Sequence, residues 1–87
     1  MKIKDGFILR EVAGSFVVVA VGKRAKEFNG VINLNETSAF MWRILEKGAT
    51  VEEILSKMQE EYDVDASVLE RDVKSFTQKL KEAGLLE

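Results

Sequence analysis

The amino-acid sequence predicts an α+β domain in which a three-stranded antiparallel sheet is followed by three helices. Three observations lead to this fold class. The 87 residues are enough for one small hydrophobic core and too few for two. Up to Leu34 the apolar residues fall in short β-branched and aromatic runs, which are typical of strands. From Asn35 onward they recur with a helical period, and the helix boundaries carry capping residues.

The strands are expected at residues 7–12, 16–21 and 31–34. The first two flank Ala13-Gly14-Ser15, and a short glycine-containing link between two apolar runs predicts a β-hairpin. Residues 22–27 are mostly charged and are expected to form a loop. Asn29-Gly30 then forms either a tight turn or a kink leading into the third strand.

Each predicted helix has a start or stop signal in the sequence. The first begins after the N-cap Asn35 and stops at Gly48; the second opens with the capping box Thr50–Glu53; the third spans Ala66–Lys81 after the N-cap Asp65. Gly84 fits the left-handed position that ends a helix in a Schellman motif. The helices together cover about residues 36–83, and residues 1–87 are expected to form a single domain.

The composition argues against an enzyme, a metal site and a cofactor. The chain has no Cys, no His and no Pro, so it offers no thiol nucleophile, no imidazole base and none of the usual zinc ligands. Paired carboxylates such as Glu52 with Glu53 diverge around a helix and are better explained as solvent-exposed or capping residues. We therefore expect a non-catalytic protein.

The sequence also predicts a cytoplasmic protein that does not enter a membrane. The longest uninterrupted apolar run is Phe16–Val21, far shorter than the ~20 residues that span a bilayer. Asp5, Arg10 and Glu11 interrupt any signal peptide that could start at the N-terminal lysines.

Strands followed by helices could form a winged helix-turn-helix, but the charge distribution does not suit DNA. Residues 1–33 carry six basic and three acidic side chains, whereas residues 34–87 carry seven basic and twelve acidic ones. The second predicted helix region, Thr50–Asp63, has five acids and one lysine, so phosphate would repel it. We expect no nucleic-acid partner, and a DNA-binding regulator is kept as an alternative.

The third strand has an edge that nothing in its own sequence blocks. Val31–Leu34 contains no charge and no proline, the usual devices that keep other strands away. An extended peptide could add to this edge. Alternatively, one of the protein's own helices, a homodimer partner or another subunit of an assembly could cover it. The residues alone leave these possibilities open.

The sequence resembles the PqqD-like family along essentially its whole length. The matching segments are Phe28–Trp42, Thr50–Ile54, Tyr62–Val64, Asp72-Val73 with Phe76, and Gly84–Leu86. The combination Leu34-Asn35-Glu36-Thr37 followed by Trp42 is the most specific of these. Ser38 stands where many members have Gly, a change that the first turn of a helix tolerates.

The resemblance implies a winged helix-turn-helix fold that binds peptides rather than DNA. Such domains act as recognition elements for ribosomally made peptides that are modified after translation, as in the biosynthesis of pyrroloquinoline quinone. The leader of the precursor peptide would add to the third strand, at Val31, Ile32, Asn33 and Leu34. It would lie against Asp72, Val73 and Phe76 of the third helix. The expected partners are this leader and a radical SAM or other peptide-modifying enzyme.

Overall fold

The computed structural model describes residues 1–28 and 30–87, and these residues form three strands and four helices. In chain order the elements are β1 (Phe7–Val12), β2 (Ser15–Ala20), α1 (Arg24–Glu27), β3 (Val31–Leu34), α2 (Glu36–Glu46), α3 (Val51–Glu61) and α4 (Ala66–Glu82). The predicted α+β class is confirmed. The turn or kink expected at Asn29-Gly30 involves Asn29, which lies outside the described residues.

The β1–β2 hairpin is tighter than the sequence suggests. Ser15 pairs with Val12 as the first residue of β2, so the link consists of only Ala13 and Gly14. Both residues have left-handed backbones, with φ angles of 52° and 80°. This conformation is typical of a type I′ turn, whose twist matches that of the two strands.

The charged segment 22–27 is not entirely a loop, which corrects the prediction. Arg24–Glu27 forms a single helical turn, α1, and the Arg24 side chain explains its position. The Arg24 Nε donates a hydrogen bond to the carbonyl oxygen of Asp5 at 3.0 Å, and its guanidinium pairs with Glu27 at 3.2 Å. The guanidinium carbon also lies 5.9 Å from the centre of the Phe7 ring. The three helices predicted from the sequence therefore correspond to α2, α3 and α4.

The capping residues behave largely as predicted. The Asn35 side chain accepts a hydrogen bond from the Ser38 amide at 2.7 Å at the start of α2. Thr50 and Glu53 form the reciprocal capping box of α3, with both bonds at 3.1 Å. Asp65 occupies the N-cap position of α4, although its side chain makes no capping hydrogen bond within the described residues.

The end of α4 forms the predicted Schellman motif. Gly84 has a φ of 78°, and its amide donates to the carbonyl oxygen of Lys81 at 3.1 Å. The Leu85 amide reaches back to the carbonyl oxygen of Leu80 at 2.9 Å. The chain therefore reverses sharply after α4, and Leu85 becomes fully buried in the core.

The first residues of the chain bind the reversed C-terminal segment. Ile3 is buried and forms an isolated antiparallel bridge with Leu86. Its amide donates to the carbonyl oxygen of Leu45 at 3.1 Å, and the Lys4 amide donates to that of Leu85 at 2.9 Å. Residues 1–4 thus connect the end of α2 to the end of α4.

The core lies between one face of the sheet and helices α2, α3 and α4. Its largest fully buried side chains are Trp42, Met41, Leu45, Ile54, Met58, Leu85, Val18 and Val73. Phe7, Leu9, Ile32 and Leu34 of the sheet pack against them. The Nε1 of Trp42 is buried and finds no hydrogen-bond acceptor among the described residues. The indole therefore stabilises the fold by its packing alone, against the cost of an unpaired donor.

Replacing Trp42 with alanine should lower the free energy of unfolding by about 3–5 kcal/mol, because the indole is 0% exposed and its removal leaves a cavity. A domain of this size has a total stability of only ~5 kcal/mol or somewhat more, so the variant should keep a small part of it and unfold at a much lower denaturant concentration. Chemical denaturation measures the loss. The control is Trp42→Phe, which keeps an aromatic ring, removes the unpaired donor and should retain most of the stability. An alanine variant that melts within a few degrees of wild type would contradict the assignment of Trp42 to the core.

Candidate peptide-binding site

A cleft of about 570 Å³ lies between β3, the beginning of α2 and one side of α4. Its first wall follows directly from the chain path, because β3 leads into α2 through Asn35 alone. This wall comprises Ile32, Asn33, Leu34, Asn35, Thr37, Ser38 and Met41. The opposite wall is formed by Asp72, Ser75, Phe76, Lys79 and Leu80 of α4, with Ala83 and Leu85 beyond the end of that helix.

The floor of the cleft is apolar. Met41, Phe76, Leu80 and Leu85 line it and are all buried, with Phe76 the most exposed of them at 7%. On the strand side Ile32 and Leu34 are half-buried, because alternate residues of a strand point to the same face of the sheet. Apolar side chains that entered this cleft would be removed from water, which favours binding in proportion to the area buried.

Two opposite charges stand on the α4 side of the cleft. Asp72 and Lys79 are seven residues apart, or about two helical turns and ~10 Å along the helix axis. Asp72 is half-buried and Lys79 is exposed. A peptide lying along the cleft would therefore meet a carboxylate and an ammonium group at separate points.

A second charged pair lies on α4 but does not line the cleft. Lys74 donates a hydrogen bond to Glu70 at 2.8 Å, and both side chains are well exposed. This bond and the attraction of the ammonium group lower the pKa of Glu70, while the carboxylate raises the pKa of Lys74. These two charges neutralise one another, so the charged character of the α4 wall comes from Asp72 and Lys79.

Strand β3 is hydrogen-bonded on one side only within the described residues. The sheet order is β1-β2-β3, and the register of the last pair runs from Phe16 opposite Leu34 to Val19 opposite Val31. The other side of β3 borders the cleft. Alternate N–H and C=O groups of an edge strand point away from its neighbour and are available to another extended chain.

The structure brings together five of the seven residues that the sequence suggested. Ile32, Asn33, Leu34, Asp72 and Phe76 all line the cleft. Val31 lies at the start of the same edge but does not line it, and its side chain is 58% exposed. Val73 is 0% exposed and belongs to the core, so it supports the α4 wall from inside and offers no surface to a ligand.

The sequence reasoning missed part of each wall. On α4 the periodicity could have found Ser75 and the C-cap residue Ala83, because they continue the helical face of Asp72, Phe76 and Lys79. On the other wall, Thr37, Ser38 and Met41 belong to the first turns of α2, and their proximity to α4 depends on how the helices pack. No local pattern indicates that packing.

The described residues contain no group of three or more acidic side chains placed to hold a metal ion. Across residues 1–28 and 30–87, no helix is both long and apolar enough to cross a membrane. The residues that line the cleft offer a ligand backbone hydrogen bonds, apolar surface, polar side chains and two charges.

A free strand edge beside an apolar cleft is the geometry of a module that binds an extended peptide. The family model described as coenzyme PQQ synthesis protein D (PqqD) matches residues 15–86, and the chain belongs to this family. The resemblance found in the sequence is thus confirmed. None of the curated proteins matches this chain.

Two solved structures share the fold. The structure of TbiB1 in complex with the TbiA(beta) leader peptide is 29% identical in sequence, with a TM-score of 0.78 over 100% of this chain and 95% of that one. A lasso peptide synthetase B1 complexed with the leader peptide is 21% identical, with a TM-score of 0.74 over 97% of this chain and 93% of that one. Both are similar to this chain along nearly their whole length.

Asp72 and Val73 are neighbours in sequence, but substitution of Val73 should destabilise the fold and substitution of Asp72 should not. Val73→Ala should lower the free energy of unfolding by about 2–3 kcal/mol, because the lost methyl groups leave a cavity in the core. Asp72→Asn should change it by no more than about 0.5 kcal/mol, because among the described residues the Asp72 side chain forms no hydrogen bond or salt bridge and asparagine has nearly the same shape. Denaturant titration of both variants tests this difference, and equal stability of the two would contradict the assignment of Val73 to the core.

Proposed function

We propose that this chain is a non-catalytic module that captures the leader of a ribosomally made precursor peptide and presents it to a modifying enzyme. The observation that carries the proposal is the unpaired edge of β3 running along an apolar cleft. Membership of the PqqD family and the similarity to two proteins solved with leader peptides support it.

The leader would bind as a fourth strand of the sheet. Its backbone would form hydrogen bonds with Val31–Leu34, which hold an extended chain with little regard to its sequence. Binding in this way removes an exposed strand edge and requires no rearrangement of the β1–β2 hairpin. The module can therefore be ready for its ligand before the ligand arrives, which lowers the cost of ordering on binding.

Side chains of the leader that point toward the helices would supply specificity. Those next to Ile32 and Leu34 enter the cleft, where Phe76 and Leu80 form the opposite apolar surface. A basic leader residue near Asp72 or an acidic one near Lys79 would add a charged contact. One or two large apolar anchors in the cleft would then supply most of the affinity.

Presentation requires no chemistry by this chain. A module that binds the leader and a modifying enzyme at the same time raises the effective concentration of the rest of the precursor at the active site of that enzyme. We propose a radical SAM enzyme or another peptide-modifying enzyme as that partner, acting on a precursor of pyrroloquinoline quinone or of another modified peptide. Pairing of the β3 edge with another protein subunit is the competing role, and it makes a different prediction for the free chain.

Binding of an extended peptide should change the backbone amide NMR signals of residues 30–34 and of α4 most strongly. A suitable probe is a peptide of roughly a dozen residues, long enough to pass β3 when extended, selected by display against this chain. Size-exclusion chromatography of the free chain should give a monomer. Shifts centred on α3 would place the interface elsewhere, and a stable oligomer that peptide does not alter would favour the assembly role.

Removal of either charge from the cleft should weaken binding of a charged peptide without unfolding the domain. For a selected peptide with a basic residue near Asp72, Asp72→Asn should raise the Kd about two- to fivefold, the size expected for a partly exposed ion pair. Isothermal titration calorimetry measures the change. The matched control is Glu60→Gln, which removes an exposed carboxylate from α3, a helix that contributes no residue to the cleft. Equal effects of the two variants would indicate a general charge effect rather than contact in the cleft.

A further inference from the structure

The face of the sheet that points away from the helices is unusually apolar. Its side chains alternate with those that enter the core, and the strand register places them in cross-strand rows. One row consists of Ile8, Val19 and Val31, directly opposite one another on β1, β2 and β3. The next row consists of Arg10, Val17 and Asn33. The outer face of a small antiparallel sheet is more commonly polar, because it meets water.

The two ends of the aliphatic row are its exposed parts. Ile8 is 38% exposed and Val31 is 58% exposed, whereas Val19 between them is half-buried. Val31 is flanked by Val19 on one side, and its other side is the free edge of β3. The row therefore stops at the place where a leader strand would be added.

A strand added to β3 would continue both faces of the sheet. Side chains that lie directly opposite on neighbouring strands contact one another, and those on either side along the strand point to the other face. One residue of the added strand must lie next to Val31 on the outer face. Its neighbour must lie next to Ile32 and face the cleft.

We propose that the leader is selected on both faces of the sheet, with a β-branched aliphatic residue next to Val31 on the outer face. This inference rests on the proposed function and specifies the substrate class: a segment with an aliphatic residue opposite Val31, apolar residues opposite Ile32 and Leu34, and a polar residue opposite Asn33. The Val31 side chain is then a specificity determinant, whereas the backbone of the same residue supplies hydrogen bonds that depend little on the leader's sequence.

The register supports a leader residue as the occupant, rather than a separate protein. The exposed end of the row borders the same strand edge that receives the leader, so one bound strand covers Val31 and pairs with its backbone. The aliphatic pair would also add to the ladder, since cross-strand β-branched pairs stabilise sheets. Asn33, one step further along the same face, can exchange hydrogen bonds with a polar side chain but gains nothing from an aliphatic one.

The chain contains a matched control for this inference. Val12 is 57% exposed, almost the same as Val31, and also lies at the end of a strand on the outer face. It belongs to β1, the opposite edge of the sheet, so a strand added to β3 does not reach it. Threonine has the shape of valine and a high strand propensity, so Val31→Thr and Val12→Thr change polarity with little effect on the backbone.

The test measures the affinity of the display-selected peptide for the wild type and for the two variants. Val31→Thr should raise the Kd about two- to fivefold, the range expected for loss of one aliphatic cross-strand pair, and Val12→Thr should leave it unchanged. A double-mutant cycle then combines Val31→Thr with replacement of each aliphatic peptide residue by threonine. One peptide position should show a non-additive effect with Val31 and none with Val12.

The possible results separate this inference from the proposed function. Peptide-induced amide shifts along β3, with a Kd that Val31→Thr leaves unchanged, would overturn the inference and leave the proposed function standing. Equal losses from Val31→Thr and Val12→Thr would also overturn it, because the whole outer face would then contribute to binding. Failure of every selected peptide to shift the β3 amides would contradict the proposed function itself.

Discussion

The unpaired edge of β3 is the constraint on which the rest of this structure depends. A strand hydrogen-bonded on one side only leaves donors and acceptors that water or another strand must satisfy. Here the strand is only four residues long, Val31–Leu34, and it is held by the longer β1–β2 hairpin beside it. So short an edge limits unwanted pairing, and in the proposed function its four residues would position an extended peptide.

The helices form the walls of the cleft beside that edge. The capping contact between Asn35 and Ser38 starts α2 immediately after β3, so one wall of the cleft is continuous with the strand. The other wall, α4, is fixed at its far end by the reversal at Gly84 and by the bridge between Ile3 and Leu86. The N-terminal residues thus contribute to the site without lining it.

Sequence patterns predicted the strands and the caps because each has a local cause, whereas the residues of α4 at the site were expected from the family resemblance. The capping box at Thr50 and the glycine at position 84 depend on a few neighbouring residues, and Asp72 and Phe76 lie on one helical face. The helical turn α1 and the bridge from Ile3 depend instead on contacts between distant parts of the chain. Val73 and Phe76 are both apolar residues of α4, but Phe76 lines the cleft and Val73 lies wholly in the core, a difference set by how the helix packs. Spacing alone could not distinguish a core position from the wall of the cleft.

Hydrogen exchange of the β3 amides tests the central claim most directly. In the free monomer, the alternate amides of Val31–Leu34 that point away from β2 should exchange nearly as fast as amides in an unstructured chain. The amides that pair with β2 should exchange more slowly, because their hydrogen bonds must open before exchange. Addition of a selected peptide should lower the exchange rates of the outward-pointing β3 amides. The exchange rates of the amides that pair β1 with β2 should not change. Outward amides already protected in the free monomer would contradict the account, because another part of the protein would then occupy the edge.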